Sequence, residues 1–155
     1  MRTFEKPEDL KSFVDQELGV SEWTLVDQAR IDKFAEATGD FQWIHIDQAR
    51  AAQALPTGTT IAHGFLTLSM VAGLPVFTVE HFSNAINYGC NKVRFTNMVP
   101  EGSRVRLRQK LLSAEDVANN GVRCVTESVI EIEGADRPAM VAETVVIYYG
   151  VGATA

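Results

Sequence analysis

Two ionisable residues stand close together in an otherwise apolar part of the sequence. Asp40 and His45 lie five positions apart in ATGDFQWIHID, residues 37–47, directly after a predicted helix. A surface loop would be more polar, and a core segment would avoid two ionisable groups. A carboxyl group and an imidazole held in one pocket can release and accept protons, so the spacing indicates general acid–base chemistry.

The apolar neighbours of His45 favour its neutral form. Trp43, Ile44 and Ile46 surround it in the sequence. Such a setting disfavours a charged imidazole and leaves the ring able to accept a proton. A structural role is the alternative, because Asp40 after a helix end suits a turn and many buried histidines have no catalytic function.

A second candidate site lies in TIAHGF, residues 60–65, where a helix is predicted to begin. Gly64 has no side chain, so the carbonyl group of a ligand can approach its backbone N–H closely. The helix dipole adds a positive partial charge there, which favours an oxyanion. Gly64 can also serve close packing of the helix on a sheet. His63 is interpreted as a structural residue at the helix start, with a contact to substrate as the alternative.

A metal site is the competing interpretation of four residues that can bind zinc or iron: Asp40, His45, Asp47 and His63. Asp47 is better explained as the cap of the helix that follows it. The sequence contains no HxH or HExxH spacing. We therefore expect neither a metal nor another cofactor. Lys92 and Arg94, on a predicted strand, are candidates for binding a phosphate group of a ligand.

The composition limits the class of protein. The chain has 155 residues, 46% of them hydrophobic, and a net charge of −6, which predicts one globular domain over residues 1–155 and repels nucleic acid. No apolar run approaches the roughly 18 residues of a membrane span, and the start MRTFEKPEDL lacks the apolar core of a secretory signal. Cys90 and Cys124 show no CxxC spacing, so we expect a reduced, cytoplasmic protein without membrane or nucleic-acid partners.

The first half of the chain is predicted to be mostly helical. PEDLKSFVDQEL predicts a peripheral helix within residues 1–20 that ends at Gly19, and EWTLV predicts a strand. Asp27 and Asp47 can each cap a helix, formed by QARIDKFAEAT and QARAAQAL. In IAHGFLTLSMVAG, apolar residues lie all round the predicted helix, which indicates that it is buried on most sides.

The second half is predicted to form four long antiparallel strands, from NYGCNKVRF, SRVRLRQKLL, VRCVTESVIEIE and AMVAETVVIYY. Asn120-Gly121 favours a two-residue hairpin turn, which would place Leu111 opposite Ile130 and basic residues opposite acidic ones on the other face. Helices followed by such strands predict an α+β fold, with an antiparallel sheet wrapped around one long central helix. The exposed edges of this sheet favour a homodimer.

Three segments, FAEATGDFQWIHID, GTTIAHGFLTLSMVAGL and INYGCNKVRF, together resemble the MaoC-like, R-specific enoyl-CoA hydratase family of hot-dog proteins. The resemblance covers about residues 23–149 and implies a dimer that catalyses reversible syn hydration of a trans-2-enoyl-CoA to an (R)-3-hydroxyacyl-CoA. It places the catalytic residues at Asp40 and His45 and the oxyanion-binding N–H at Gly64. The implied ligand is a coenzyme A thioester as substrate, without a further cofactor.

Two positions depart from the family pattern. Many members carry Asn-Pro where this chain has Gln42-Trp43, and some carry a serine where it has Ala72, so the hydrogen bonds that support Asp40 must differ. One open alternative is a (3R)-hydroxyacyl-ACP dehydratase, which the acidic net charge disfavours. Another is a non-catalytic acyl-thioester-binding protein, which would need no acid–base pair. Chain-length preference depends on side chains whose orientation the sequence leaves open: Leu68, Met70, Phe77 and Phe82.

Overall fold

The computed structural model of the chain describes residues 1–152. Within them the helices and strands follow in the order β1 (Arg2–Phe4), β2 (Glu17–Val20), β3 (Thr24–Val26), α1 (Gln28–Thr38), α2 (Trp43–Ile46), α3 (Gln48–Ala54), α4 (Gly64–Ser69), β4 (Phe77–Val79), β5 (Phe82–Phe95), β6 (Ser103–Val117), β7 (Gly121–Ile132) and β8 (Met140–Gly150). Two 3-10 helices, Pro7–Phe13 and Met70–Gly73, complete the regular structure of these residues.

The long strands form one antiparallel sheet, which confirms the predicted α+β class. Its strands are ordered β2-β6-β7-β8-β5, and β3 also pairs with β6, while β1 and β4 form a separate parallel pair. Side chains on one face of the sheet are buried, among them Leu107, Ile130 and Met140. They form one core with Leu66 and Met70, so the segment around α4 lies against the inner face of the sheet.

The turn between β6 and β7 is one residue longer than predicted. Residues 118–120 form it, and Val117 pairs with Gly121. Asn119 and Asn120 have φ values of 61° and 53°, in the left-handed region that asparagine tolerates better than most residues. The predicted two-residue Asn120-Gly121 turn is therefore wrong, because the Asn-Asn pair reverses the chain first.

A β-bulge in β6 between Leu111 and Ser113 shifts the register further. On the side of this bulge away from the turn, each side chain still lies on its predicted face of the sheet. Leu111 lies opposite Thr126 and not, as predicted, opposite Ile130, which is a displacement of four residues. An even displacement preserves the face, because side chains alternate along a strand. Opposite charges therefore still meet on the outer face, where Arg106 Nε lies 2.6 Å from Glu131 Oε2.

Residues 1–20 contribute to the sheet and the core, so the predicted peripheral helix is wrong. The segment Pro7–Phe13 is a 3-10 helix whose Leu10 is fully buried. Gly19, predicted to end that helix, lies in β2 and pairs with Gln109 of β6. A Cβ atom at position 19 would come within 2.5 Å of the Val76 carbonyl oxygen, so the close approach of these two backbones requires glycine.

The apolar segment at residues 61–73 forms a shorter and less buried helix than predicted. α4 has six residues and is continued by the four-residue 3-10 helix Met70–Gly73. Leu66 and Met70 are buried, but Phe65 is 68% exposed. The sheet thus covers one side of this segment, and the apolar side that carries Phe65 is open in the single chain.

The helices of the first half begin and end where their capping residues predict. The Asp27 side chain accepts a hydrogen bond from Arg30 N at the start of α1, and Gly39 ends that helix with a φ of 77°. Asp47 caps α3 in the same way. α2, a single turn, was not predicted. Among residues 1–152 no helix is long and apolar enough to cross a membrane.

β5 is the open edge of the sheet. It pairs with β8 on one side only, and nearly all of its 14 residues are exposed. Several of its exposed side chains are large and apolar, including Phe82, Ile86, Tyr88 and Phe95. An edge of this kind is a ready surface for pairing with another chain.

Candidate active site

Asp40, His45 and His63 converge at the start of α4. Each of the three side chains offers a nitrogen or oxygen atom that lies within 4.8 Å of the atoms offered by the other two. Asp40 follows the left-handed Gly39 that ends α1, His45 lies in α2, and His63 directly precedes α4. The fold therefore brings together the two residues of the predicted acid–base pair and adds a third.

His45 is held in one tautomer. The ring is buried, and its Nδ1 lies 2.7 Å from the backbone oxygen of Ile61. A carbonyl oxygen only accepts hydrogen bonds, so Nδ1 carries a hydrogen and donates it. In the neutral ring the lone pair is then on Nε2, which is the atom available as a base.

The surroundings of His45 keep its imidazole neutral. Burial lowers the pKa of His45 below its ordinary value, and the nearby His63 lowers it further. The hydrogen bond to Ile61 and the charge of Asp40 act in the opposite direction but are outweighed. A histidine that resists protonation near neutral pH is suited to accept a proton during a reaction.

His63 lies between the two residues of the predicted pair. Its ring stacks on that of His45, with ring centroids 3.7 Å apart and planes 25° from parallel, and Phe34 covers it at 5.0 Å. Its Nε2 donates a hydrogen bond to the backbone oxygen of Asp40 at 3.0 Å. His63 was predicted to be a structural residue at the helix start, whereas its contacts with Asp40 and His45 position both of them.

The stacking of the histidine pair, His45 and His63, also bears on the metal alternative. Imidazole nitrogens bind a metal along lone pairs that lie in the plane of the ring, at about 2.0–2.1 Å for zinc. The two rings are nearly parallel, so their lone pairs cannot meet at one point so close to both. The buried Nδ1 of His63 has no hydrogen-bond partner among residues 1–152, and it is closed to an entering ion.

Asp40 is open to solvent on the side away from the histidine pair. Its side chain is 56% exposed, with Oδ2 4.0 Å from His63 Nε2, and Oδ1 accepts a hydrogen bond from Gln42 N at 3.3 Å. The prediction that both groups lie in a pocket is therefore wrong for Asp40 in the single chain. The Asp40 carboxylate and the His45 ring offer atoms within 4.8 Å of each other, and two polar atoms at such a separation can each hydrogen-bond the same water molecule.

Gly64 has a packing reason for being glycine. A Cβ atom there would lie 2.8 Å from the ring of Phe95 on β5, which is closer than real contacts allow. As the first residue of α4, Gly64 has a backbone N–H without an intrahelical acceptor. The structure thus shows the close packing that requires glycine at position 64. The binding of an oxyanion at the Gly64 N–H is compatible with this packing and stays a prediction.

Lys92 and Arg94 are not brought to this cluster. Phe95 points toward Gly64 on the inner side of β5, and side chains alternate along a regular strand, so Lys92 and Arg94 point to the outer side. Lys92 Nζ forms an ion pair with Glu143 at 2.8 Å on that outer face. The candidate phosphate contacts therefore lie on the opposite face of the sheet from Asp40, His45 and His63.

A groove of about 540 Å³ lies between the segment after α4 and the strands β5 and β8. Apolar side chains line most of it. Of the residues considered for chain-length control, Leu68 and Phe77 line the groove, whereas Met70 is buried in the core. Ala72, the position where some relatives carry a serine, also lines it.

Gln28 supports the site, a role that was not predicted from the sequence. Its Nε2 donates a hydrogen bond to the backbone oxygen of His45 at 2.8 Å, and its Oε1 accepts one from the Thr60 hydroxyl. The side chain thereby ties α1 to α2 and to the segment that precedes α4. No sequence pattern indicates this role, because Gln28 has the position of an ordinary first residue of a helix.

The chain belongs to the MaoC-like dehydratase family. The family model described as "MaoC like domain" matches residues 9–134, which include Asp40, His45, His63 and Gly64. The resemblance stated from the sequence is confirmed. Relatives that match nearly the whole chain, such as 3-hydroxyacyl-thioester dehydratase Z, are named as dehydratases, so the chain is an enzyme of the hydro-lyase class.

Two relatives and one solved structure illustrate this relationship. The chain is 48% identical to 3-hydroxyacyl-thioester dehydratase Z of Mycobacterium tuberculosis, over 96% of this chain and 99% of that protein. It is 43% identical to nodulation protein N of Rhizobium leguminosarum bv. viciae, over 90% and 88%. An (R)-hydratase from A. caviae involved in PHA biosynthesis superposes with a TM-score of 0.65 at 25% identity, covering 86% of this chain and 94% of the other. The predicted hot-dog fold is confirmed.

Proposed function

We propose that the chain catalyses the reversible syn hydration of trans-2-enoyl-CoA to (R)-3-hydroxyacyl-CoA. The observation that carries this proposal is the convergence of the Asp40 carboxylate and a neutral His45 within 4.8 Å. Hydration of a conjugated thioester requires one proton to leave water and one to reach the α-carbon. An open carboxylate and a buried base that can share one water supply both requirements.

Each proton has a defined route in this mechanism. His45 Nε2 accepts a proton from water while the water oxygen bonds to the β-carbon. That proton then passes from His45 to the Asp40 carboxylate and from there to the α-carbon, so that OH and H from one water end on adjacent carbons. The reverse sequence removes water from the (R)-3-hydroxyacyl thioester. The protein ends each cycle in its starting protonation state.

The thioester carbonyl is proposed to bind at the N–H of Gly64. Negative charge grows on this oxygen as the β-carbon is attacked, and a preorganised donor stabilises it by about 3–4 kcal/mol in other oxyanion sites. The free N–H at the start of α4 and the absence of a side chain support this position. Replacing Gly64 by alanine cannot test it, because a Cβ atom would collide with Phe95.

The working enzyme is proposed to be a homodimer. β5 is exposed along its length, and Phe65 and Tyr88 are 68% and 67% exposed. A second copy would cover this apolar surface and enclose the open side of Asp40. Light scattering after size-exclusion chromatography is expected to give twice the mass of one chain, and the mass of one chain would contradict the proposal.

Coenzyme A is proposed as the carrier, with acyl carrier protein as the alternative. The net charge of −6 would repel an acidic carrier protein. Comparing kcat/KM for the same acyl group on coenzyme A and on acyl carrier protein decides between the carriers.

The cytoplasm is proposed as the compartment, since Cys90 and Cys124 are both free thiols.

The hydratase proposal is tested by the loss of conjugated thioester absorbance from crotonyl-CoA and from octenoyl-CoA. The wild type is expected to form the (R)-3-hydroxyacyl product, and Asp40→Ala and His45→Ala are expected to lose about 10²–10⁴-fold in kcat/KM. Asp136→Ala and His81→Ala are matched controls at positions outside the site. Full activity of both site variants would refute the mechanism, and inactivity of the wild type on both substrates would refute the function.

A further inference from the structure

Four buried polar side chains interrupt the apolar inner face of the sheet. They are Gln109 of β6, Thr126 and Ser128 of β7, and Thr144 of β8, which we call the polar ring. Gln109 pairs with Ser128 across β6 and β7, and Thr126 pairs with Thr144 across β7 and β8. The ring therefore crosses the three central strands, and Gln109 and Thr144 reach the surface of the groove.

The hydrogens of the polar ring are all used within it. Gln109 Nε2 donates to Ser128 Oγ at 2.9 Å and to Thr126 Oγ1 at 3.4 Å. The three hydroxyl groups bond one another, with Thr144 Oγ1 at 2.7 Å from Thr126 Oγ1 and at 2.9 Å from Ser128 Oγ. These five hydrogen bonds account for the two amide hydrogens and the three hydroxyl hydrogens.

One atom of the ring is left over. Gln109 Oε1 takes no part in the five bonds and has no other donor among residues 1–152. If the amide were turned round, its NH₂ group would be the unused end. A hydroxyl group can pair with either end, because it both donates and accepts. The ring thus presents one unused hydrogen-bonding group where Gln109 borders the groove.

This group matters for what can occupy the groove. A plain alkyl chain lying over Gln109 would remove it from water without offering a partner, which is costly for a polar group. A chain with a hydroxyl group at that depth would restore the lost hydrogen bond. Sites that hydrogen-bond a substrate hydroxyl reject the analogue lacking it much more strongly than an apolar pocket rejects an added methylene.

The groove lies on the path along α4. Leu68 and Ala72, which line it, follow Gly64 by four and eight residues, or about 6–14 Å at 1.5 Å per residue in α4 and 2.0 Å in the 3-10 helix that continues it. A substrate with its thioester at Gly64 therefore meets Gln109 well beyond its reacting carbons. The hydroxyl group in question is not the 3-hydroxyl of the product but a substituent farther along the chain.

We propose that the groove selects acyl thioesters that carry a hydroxyl group on the distal part of the chain, and that Gln109 is the residue that recognises it. This inference rests on the proposed function, since it takes the groove as the acyl site of the same reaction. Thr126 and Ser128 hold the amide of Gln109 in place, and Thr144 bonds both of them. The competing interpretation is a structural water in the void of about 20 Å³ that Gln109 also borders, which has room for one water.

The test uses matched substrates. Trans-2-hexenoyl-, octenoyl- and decenoyl-CoA are compared with their ω-hydroxylated counterparts, and crotonyl-CoA reports the basal reaction. In the wild type, kcat/KM for the hydroxylated substrate is expected to exceed that for the plain one at one of these lengths, by roughly ten- to a hundred-fold. A preference for the plain chain at every length would overturn the inference.

The variant Gln109→Leu assigns the preference to its residue. It is expected to abolish or reverse the ratio between hydroxylated and plain chains, whereas Gln16→Leu, the same substitution at an exposed glutamine, leaves the ratio unchanged. If Gln109→Leu does not fold, Thr144→Val provides the second variant, since it removes the hydroxyl group that bonds both partners of the amide, Thr126 and Ser128. A ratio that survives both substitutions would assign the preference elsewhere and overturn the role of Gln109.

Failure of the hydratase proposal can be told apart from failure of this inference. If crotonyl-CoA is not hydrated, the proposed reaction is wrong. Binding of saturated octanoyl-CoA and its ω-hydroxylated analogue to the wild type, measured by calorimetry, still tests the groove. Equal dissociation constants for the two ligands would overturn the inference and leave the structural water as the explanation of the ring.

Discussion

The fold builds two clusters of polar groups in opposite ways. One is the histidine pair together with Asp40, and the other is the polar ring. The first lies among short helices, is open at Asp40, and keeps a buried nitrogen, His63 Nδ1, that has no hydrogen-bond partner in the part of the chain that the structure describes. The second lies on the rigid sheet, and all its hydrogens are committed to hydrogen bonds. A cluster that moves protons needs unspent lone pairs, whereas the polar ring, which holds a shape, leaves only Gln109 Oε1 unused among its own hydrogen bonds.

The two clusters also differ in what their environment does to charge. Burial and a stacked neighbour lower the pKa of His45, so the site contains an ionisable group whose neutral form is favoured. The polar ring contains no ionisable side chain and cannot respond to pH in the same way. Substitutions should therefore affect turnover in the first cluster, and stability or chain selection in the second.

The largest effect on turnover is expected from substitutions in the catalytic pair, Asp40 and His45. Asp40→Ala and His45→Ala should each lower kcat/KM for crotonyl-CoA by about 10²–10⁴-fold. The double variant should lose no more than the worse single variant, because both residues act on one water. Initial rates over a range of substrate concentrations measure this. Losses that multiply in the double variant would show that the two residues act on separate steps.

His63→Phe is expected to have the next largest effect. The aromatic stack on His45 is kept, but the hydrogen bond to the Asp40 backbone is lost, so kcat should fall about 10–100-fold while KM changes little. The acid limb of the pH profile should move to higher pH, because His63 helps to lower the pKa of His45. His81→Phe is the control, and an unchanged pH profile would leave His63 only a packing role.

Ser128→Ala tests the polar ring through stability. Ser128 is fully buried and hydrogen-bonded to Gln109 and Thr144, so its loss leaves both partners short of a bond. The free energy of unfolding should fall by about 1–3 kcal/mol, as measured by urea unfolding. Ser113→Ala, a less buried serine of β6, is the comparison. An unchanged stability would mean that the ring contributes little to holding the sheet.

The pH dependence of the wild type should reflect the lowered pKa of His45. For hydration, kcat/KM should stay high through pH 6.5 and fall only below it, since the base must be neutral. The unfolded chain binds a proton at His45 more readily than the folded one, so this contribution to stability is complete above about pH 6.5 and is lost as the pH falls. An acid limb above pH 6.5 in the wild type would contradict the assignment of His45 as the base.

The smallest effect is expected on the outer face of the sheet. Arg104 and Glu133 form an ion pair at 3.1 Å, but both side chains are nearly half exposed. Arg104→Ala should change the free energy of unfolding by about 0–1 kcal/mol, and less at high salt. Thermal unfolding at two salt concentrations measures this. A loss as large as that of Ser128→Ala would remove the contrast between the inner polar ring and the outer ion pairs.

The sequence predicted the elements whose signals are local. Asp27, Asp47 and Gly39 mark helix ends by the hydrogen bonds and backbone conformations that those residue types allow, and all three do so in the structure. The alternation of the long strands predicted which side chains are buried. The predicted turn between β6 and β7 was wrong, because Asn119-Asn120 and Asn120-Gly121 can both form a turn, and no local rule decides between them.

The spacing of Asp40 and His45 and the apolar residues beside His45 were enough to predict an acid–base pair from the sequence alone, because both features depend on neighbours along the chain. Only the tertiary structure decided that His63 stacks on His45 and holds the Asp40 backbone. It alone placed Gln28 behind the site, turned Lys92 and Arg94 to the outer face, and joined Gln109 to two hydroxyl groups on the neighbouring strand β7. These contacts span residues far apart in the chain, and the strand register and helix packing that create them are set by the whole core.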